Sequence, residues 1–334
     1  MFWWFAAVLA VPILGCMLFV LGSYFVTRIT KVPEPSDLQR ENRPSKFRLD
    51  TEMSFFDDAG TYDYVLQPYW ISSDQFEKVT IGERQKIDAR IFRPAENKAK
   101  NDLWLVCMHG LGATQNDPGI LFAVSQAIAA GCHAITFDHM DVGESYTFNG
   151  FHRGGQERRV DVELVLNYLS ASYGVSDEQC ILYGSSLGAE TVLQTILRRT
   201  NAFAGAILEA PFLDFATMAV QETQRALGSN AFIARLIAHL AFAVGGLTGR
   251  DIQGSTKTFG PTKKFWVQIA GNDGRIPADE SFAVASALCR DPDVESVKIS
   301  VAAQAGHGAV LNESSAAELA REYLNFFVTY AASA

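Results

Sequence analysis

The 334-residue sequence lacks the residue patterns that usually bind metals, nucleotides and nucleic acids. Its five cysteines form no C-x-x-C pair and no Cys/His spacing suited to zinc. No glycine-rich loop leads into a basic residue in the manner of a phosphate-binding loop. The net charge is −9, and no basic cluster is interleaved with aromatic residues, which argues against nucleic acid as a partner. We therefore predict no cofactor, no catalytic metal and no nucleic-acid partner.

Charged side chains are also missing from the N-terminus. Phe2 to Thr27 is uncharged and mostly apolar, which is long enough for a helix that crosses a bilayer core of about 30 Å. A signal peptide normally begins with a positive region, so the pattern favours a retained anchor at residues 1–28. Positive residues follow the span, which predicts a cytoplasmic catalytic domain. Ile13-Leu14-Gly15-Cys16 loosely resembles a lipoprotein processing site and leaves the extracytoplasmic side as the alternative.

Residues 29–74 divide into two parts. Prolines among charges suggest a stalk, and a cluster of aromatic residues follows that is too apolar for a disordered linker. This cluster is predicted either to pack at the edge of the following domain or to line the entrance to its site. Its members are Phe55, Phe56, Tyr62, Tyr64, Tyr69 and Trp70.

From residue 75 to residue 334, strand and helix patterns alternate after a predicted β-hairpin. Several strands are apolar throughout, as expected for a parallel sheet that is covered by helices on both faces. The predicted strands are Leu103 to Met108, His133 to Phe137, Cys180 to Tyr183, Ala204 to Leu208, Lys264 to Ala270 and Ser296 to Ala302. The pattern predicts one α/β domain with a mostly parallel central sheet.

Four of these strands lead into residues suited to acyl-transfer chemistry. Gly184-Ser185-Ser186-Leu187-Gly188 is a G-x-S-x-G turn between a strand and a helix, which would project the Ser186 hydroxyl into a cleft. His109-Gly110-Leu111-Gly112, Asp273 and His307 each follow another strand. A serine needs an imidazole to take its proton, and a carboxylate would orient that imidazole. We predict Ser186 as nucleophile, His307 as base and Asp273 as acid.

This ordered set is similar to the α/β-hydrolase superfamily, closest to its serine aminopeptidase and esterase/lysophospholipase-like branch. Phe137 to Ser145 also resembles that branch, although His139-Met140-Asp141 departs from its usual arginine-glycine pair. The resemblance implies an α/β-hydrolase fold and an oxyanion hole made of the N–H groups of Leu111 and Leu187. Glu209 and Asp214 are the alternative acids, because some relatives place the acid after the sixth strand.

Residues 211 to 261 interrupt the alternation and are predicted to form a small helical cap over the site. Within the cap, Ala231 to Val244 is nearly all apolar, with Arg235 as its only charged residue. This helix is expected either to pack on the core or to bind an acyl chain or a membrane surface.

The sequence thus predicts a membrane-anchored serine hydrolase that cleaves a carboxylic ester of a small-molecule or lipid acyl substrate. The alternatives are a serine peptidase, a thioesterase or an acyltransferase on the same fold, and a non-catalytic membrane scaffold.

Overall fold

A central sheet of eight strands organises the part of the chain that the structure, a computed structural model, describes. The described residues are 16, 17, 20, 24, 52–57, 60–65, 76–94, 102–148, 150, 154–199, 201–213, 215–227, 231–244, 259, 262, 264–308 and 316–331. The strands are β1 (Glu52–Asp57), β2 (Gly60–Val65), β3 (Phe76–Ile81), β4 (Ile87–Phe92), β5 (Trp104–Met108), β6 (His133–Phe137), β7 (Cys180–Ser185), β8 (Gly205–Glu209), β9 (Lys264–Ala270) and β10 (Ser296–Ala302). The helices are α1 (Pro118–Ala129), α2 (Gly155–Tyr173), α3 (Leu187–Arg198), α4 (Phe215–Leu227), α5 (Ala231–Val244), α6 (Ala278–Arg290) and α7 (Ala316–Ala331).

The order of strands in the sheet is β10-β9-β8-β7-β5-β6-β4-β3. All pairs from β10 to β6 are parallel, and β4 and β3 add an antiparallel edge. Every residue of β5, β7 and β8 is buried, because helices cover both faces of the sheet. The prediction of a mostly parallel, doubly covered sheet is confirmed.

Two hydrophobic clusters fill the space between the sheet and its helices. On one face, α1 and α7 pack through side chains such as Phe122, Tyr323 and Phe327. On the other face, α2, α3 and α6 pack through small branched side chains that include Val162, Val192 and Val284. Parallel strands and their crossover helices therefore bring the carboxyl ends of β5, β7, β9 and β10 to one edge of the molecule.

Between β8 and β9 the chain forms the helix pair α4 and α5. Phe215, Met218 and Ala238 of this pair belong to a third apolar cluster together with Leu187 and Ile276. The described part of the insertion thus contains two helices, and it packs beside the start of α3. Much of the remaining predicted cap, including residues 245–258, lies outside the described residues.

The N-terminal region contains one feature that the sequence analysis did not anticipate. β1 and β2 pair antiparallel as a separate two-stranded sheet in the segment that was predicted only as an aromatic lead-in. Most of the predicted anchor and the proline-rich stalk lie outside the described residues. Among the residues that are described, no helix combines the length and the apolar character needed to cross a membrane.

Candidate active site

Ser186 occupies a sharp turn between β7 and α3. Its φ of 55° and ψ of −119° lie outside the regions that non-glycine residues normally adopt, and such strain typically costs about 1–3 kcal/mol. Its N–H donates to the Glu209 carbonyl at 2.8 Å, which holds the turn against β8. A methyl group at Gly184 would overlap the Gly188 carbonyl, and one at Gly188 would overlap the Met108 carbonyl. The two glycines thus permit the close packing on which the turn depends.

Asp273 and His307 form a hydrogen-bonded pair on two neighbouring loops. Asp273 follows β9, and its Oδ1 accepts the N–H groups of Arg275 and Ile276, both at 2.8 Å. Its Oδ2 lies 2.8 Å from His307 Nδ1. The Asp273 side chain is only 1 % exposed, whereas His307 is 17 % exposed. When His307 Nδ1–H donates to this carboxylate, Nε2 carries the ring's lone pair, as a general base requires.

The two alternative acids are placed differently. Glu209 is buried at the end of β8, and its Oε2 accepts the Tyr183 hydroxyl at 2.8 Å. Burial raises the pKa of the Glu209 carboxyl, although the hydrogen bond from Tyr183 opposes that shift. Asp214 lies outside the described residues. Of the two described carboxylates, Asp273 is the one that is hydrogen-bonded to His307.

The two predicted oxyanion donors belong to segments that adjoin this turn. Leu187 is the first residue of α3, so its N–H has no acceptor within the helix. The Leu111 loop packs against the turn, since a Cβ at Gly110 would lie 3.4 Å from the Cβ of Ser186. The side chain of Leu187 belongs to the third apolar cluster together with Phe212, and the partly buried side chain of Leu111 packs against this cluster. Ser186 and the two segments predicted to supply the donors therefore lie beside a buried apolar cluster.

A buried polar network lies behind the Leu111 loop. Arg158 Nη1 donates to the carbonyl of His109 at 3.0 Å and to that of Gly110 at 3.4 Å. His109 Nδ1 lies 2.8 Å from the Gly110 carbonyl, and His109 Nε2 accepts the N–H of His139 at 3.1 Å. Asp161 Oδ2 lies 3.0 Å from His139 Nδ1.

Ionisation in this network is governed mainly by burial. Burial lowers the pKa of both histidines well below the usual range, with a further contribution from the positive charge of Arg158. Burial also raises the pKa of Asp161 to about 7 and lowers that of Arg158 to about 10. The guanidinium is therefore charged at neutral pH while the rings of His109 and His139 are neutral.

Arg158 and Asp161 were not predicted from the sequence as functional residues. Both lie in α2, whose sequence mixes polar and apolar residues, and the charged residues of such a helix normally face water. The sequence does contain a sign of burial, because Arg158 and the apolar Val162 are four residues apart and therefore share one face of a helix. In the structure Val162 is fully buried against the sheet.

No group of three or more metal-binding side chains that could hold an ion occurs within the described ranges. The described residues do hold a serine on a strained turn and an imidazole–carboxylate pair, and Leu111 and Leu187 stay the predicted oxyanion donors. This is the combination that acyl transfer through a serine requires.

Comparison with known proteins agrees with the fold. A model of the prolyl oligopeptidase family matches residues 139–334, which include Ser186, Asp273 and His307. The fold is similar to that of an esterase from Pyrococcus furiosus, with a TM-score of 0.56 and 12 % identity over 77 % of this chain and 93 % of the other. No sequence among the curated proteins gives a significant match.

Two further structures share the fold. Est1E from Butyrivibrio proteoclasticus, solved with ferulic acid bound, has a TM-score of 0.55 and 14 % identity over 76 % of this chain and 99 % of its own. A serine hydrolase without a lid from Xanthomonas campestris has a TM-score of 0.52 and 13 % identity over 77 % of this chain and 95 % of its own. With more than half of its length matched by the family model, the chain belongs to the prolyl oligopeptidase family within the α/β-hydrolase superfamily and is a serine hydrolase.

Proposed function

We propose that this protein is a serine esterase that hydrolyses carboxylic esters with an apolar acyl group through Ser186, His307 and Asp273. The observation that carries the proposal is the 2.8 Å hydrogen bond between His307 and Asp273 in a fold that also holds Ser186 on a strained turn. A hydrogen bond at Nδ1 orients the imidazole and stabilises the imidazolium that forms during catalysis.

The reaction has two halves. Ser186 Oγ attacks the ester carbonyl carbon as His307 Nε2 takes the hydroxyl proton, and the N–H groups of Leu111 and Leu187 stabilise the oxyanion. The intermediate collapses, the bond to the alcohol breaks, and His307 returns the proton to the departing oxygen. Water then attacks the acyl-enzyme with His307 again as base, which releases the carboxylic acid and restores Ser186.

The apolar cluster supports an apolar acyl group. The side chain of Leu187 packs with Phe212, Phe215 and other buried apolar residues, and that of Leu111 packs against the same cluster. Apolar surroundings of the two predicted oxyanion donors suit a hydrocarbon group better than a charged one. The esterase from Pyrococcus furiosus and the ferulic acid bound to Est1E are in line with an ester substrate. A peptide bond is the second candidate, because the matching family is described by prolyl oligopeptidase.

The proposal includes a membrane anchor. The uncharged segment from Phe2 to Thr27 would tether the enzyme beside lipid substrates, and the positive residues that follow favour a cytoplasmic catalytic domain. This part of the proposal is supported by the sequence alone.

The test compares the full-length protein with Ser186→Ala on p-nitrophenyl esters of graded acyl length and on aminoacyl and peptidyl p-nitroanilides. We expect the wild type to prefer esters, and the variant to lose about three orders of magnitude or more in kcat while keeping its unfolding transition. Fluorophosphonate labelling of the wild type and its loss in Ser186→Ala would identify the nucleophile independently of substrate. A preference for the anilides would favour the peptidase instead, and full ester turnover by Ser186→Ala would contradict the mechanism.

A further inference from the structure

Arg158 is a buried arginine whose guanidinium contacts backbone rather than solvent. It reaches from the first turn of α2 to the loop after β5, where Nη1 donates to the carbonyls of His109 and Gly110. The Gly110 carbonyl also receives a hydrogen bond from His109 Nδ1. We propose that Arg158 and the His109 ring are positioning residues that orient the oxyanion-hole N–H of Leu111 by holding the carbonyl of Gly110. The proposal rests on the esterase function proposed above.

The link between the carbonyl and the N–H is the peptide bond itself. The carbonyl of Gly110 and the N–H of Leu111 belong to one planar trans unit, so the two groups point in opposite directions. A carbonyl held towards Arg158 therefore turns the Leu111 N–H away from Arg158. Rotation of this one peptide would remove the donor from the oxyanion hole without moving Ser186 or His307.

The His109 ring is held in the tautomer that this role needs. Its Nε2 accepts the N–H of His139, so the ring proton is on Nδ1 and is donated to the Gly110 carbonyl. The position of His139 is in turn fixed by Asp161, whose Oδ2 contacts both His139 Nδ1 and the N–H of Met140 at 3.1 Å. The Gly110 carbonyl thus accepts from two donors, and the ring that supplies one of them is itself held by the N–H of His139.

A packing role alone would not require a charge at this position. Burying a guanidinium costs several kcal/mol of desolvation, and apolar residues of similar volume often replace buried ion pairs at little cost in stability. Arg158 is 4 % exposed and is compensated by nearby acidic groups that include Asp161 and Glu190. What an apolar residue could not supply is the planar guanidinium, which donates to the carbonyls of His109 and Gly110.

The test uses Arg158→Met and Arg158→Lys, with Arg159→Met as the matched control. Arg159 is the next residue of α2 and pairs with Glu163 four residues later, away from the loop. Arg158→Met should lower kcat about 10- to 100-fold with KM changed less than twofold, as expected when an oxyanion donor is misplaced. Arg158→Lys should recover part of this loss, and Arg159→Met should match the wild type.

A second pair of variants covers the case in which Arg158→Met does not fold. His109→Leu removes the donor to Gly110, whereas His109→Asn keeps an N–H near the position of Nδ1. We expect His109→Leu to lose kcat and His109→Asn to recover most of it. A trifluoromethyl ketone, whose adduct places an oxyanion in the hole, should bind the impaired variants more weakly by the same factor by which kcat/KM falls.

The outcomes separate this proposal from the proposed function. Wild-type ester turnover that is lost in Ser186→Ala but retained within twofold by folded Arg158→Met, or by both His109 variants, overturns the positioning role alone. If esters are poor substrates but Ser186 reacts with a fluorophosphonate, the labelling rate replaces ester turnover. A labelling rate retained within twofold by folded Arg158→Met, or by both His109 variants, then overturns the positioning role. If the folded wild type neither turns over esters nor reacts with the probe, both proposals are wrong.

Discussion

Asp273 divides its two carboxylate oxygens between two tasks. Oδ1 accepts two backbone N–H groups and closes its own loop, which leaves Oδ2 for His307. Glu209 is buried nearby, but its Oε2 is engaged by Tyr183. Because Asp273 contacts His307 whereas Glu209 accepts from Tyr183, we predict that catalysis depends on the Asp273 carboxylate.

We expect Asp273→Asn to lower kcat/KM by about two to four orders of magnitude, because an amide can neither stabilise the imidazolium nor keep the Nδ1–H tautomer. Glu209→Gln is the control, since its amide oxygen can still accept the Tyr183 hydroxyl. It should retain activity within about tenfold. The measurement is ester hydrolysis between pH 6 and 9, and a larger loss in Glu209→Gln than in Asp273→Asn would identify Glu209 as the acid.

At this scale the sequence predicts some residues far better than others. Ser186, Asp273 and His307 could be proposed from their types and their positions after strands, because parallel strands end at a shared edge. The role of Arg158 could not be proposed from the sequence, because it depends on the contact of a buried guanidinium with the carbonyl of Gly110, 48 residues earlier. Only the folded chain brings that guanidinium and the Gly110 carbonyl together.

Among the elements, the junction of β7 and α3 depends most on close packing. The start of α3 lies directly against the end of β5, where Gly188 faces the Met108 carbonyl. A side chain there must push the helix that carries Leu187 away from the sheet. The absence of a side chain at Gly188 thus helps to set the position of the Leu187 N–H, the predicted oxyanion donor.

Gly188→Ala should therefore cost both stability and activity. We expect a loss of about 1–3 kcal/mol in the free energy of unfolding, as is typical of overpacking, together with a fall in kcat of at least tenfold. Gly174→Ala is the control, because Gly174 has a φ of +70° but open space around it. It should lose about 1 kcal/mol through backbone strain and keep its kcat. Urea unfolding and ester kinetics measure the two effects, and unchanged kcat in Gly188→Ala would contradict the link.

Element boundaries show where sequence patterns stop being informative. The bounds of β6, β9 and β10 were predicted to the residue, because each strand is a distinct run between loops. β7 continues two residues past Tyr183, since Gly184 and Ser185 still pair with Leu208 and Glu209. Hydropathy does not show this continuation, because Gly184 and Ser185 are not apolar residues.

For the whole molecule, the strand order explains why loops that are distant in sequence lie at one edge of the sheet. His109 and His307 are far apart in sequence, yet both follow strands whose carboxyl ends lie at the same edge of the sheet. That assembly could be predicted from alternating strands and helices. Anchoring of the domain to a membrane stays a prediction, because it depends on the uncharged segment before residue 28, most of which lies outside the described residues.

The orientation of the catalytic domain can be tested with the protein's own cysteines. Cys107, Cys132 and Cys180 are buried, whereas Cys289 on α6 is exposed, so in a Cys16→Ser background Cys289 is the reactive thiol of the domain. If the domain is cytoplasmic, a membrane-impermeant maleimide should label the protein only after the cells are permeabilised. The Cys16→Ser/Cys289→Ser variant should remain unlabelled in both conditions. Labelling of Cys289 in intact cells would place the domain on the extracytoplasmic side, and the positive residues after the span would then not determine its orientation.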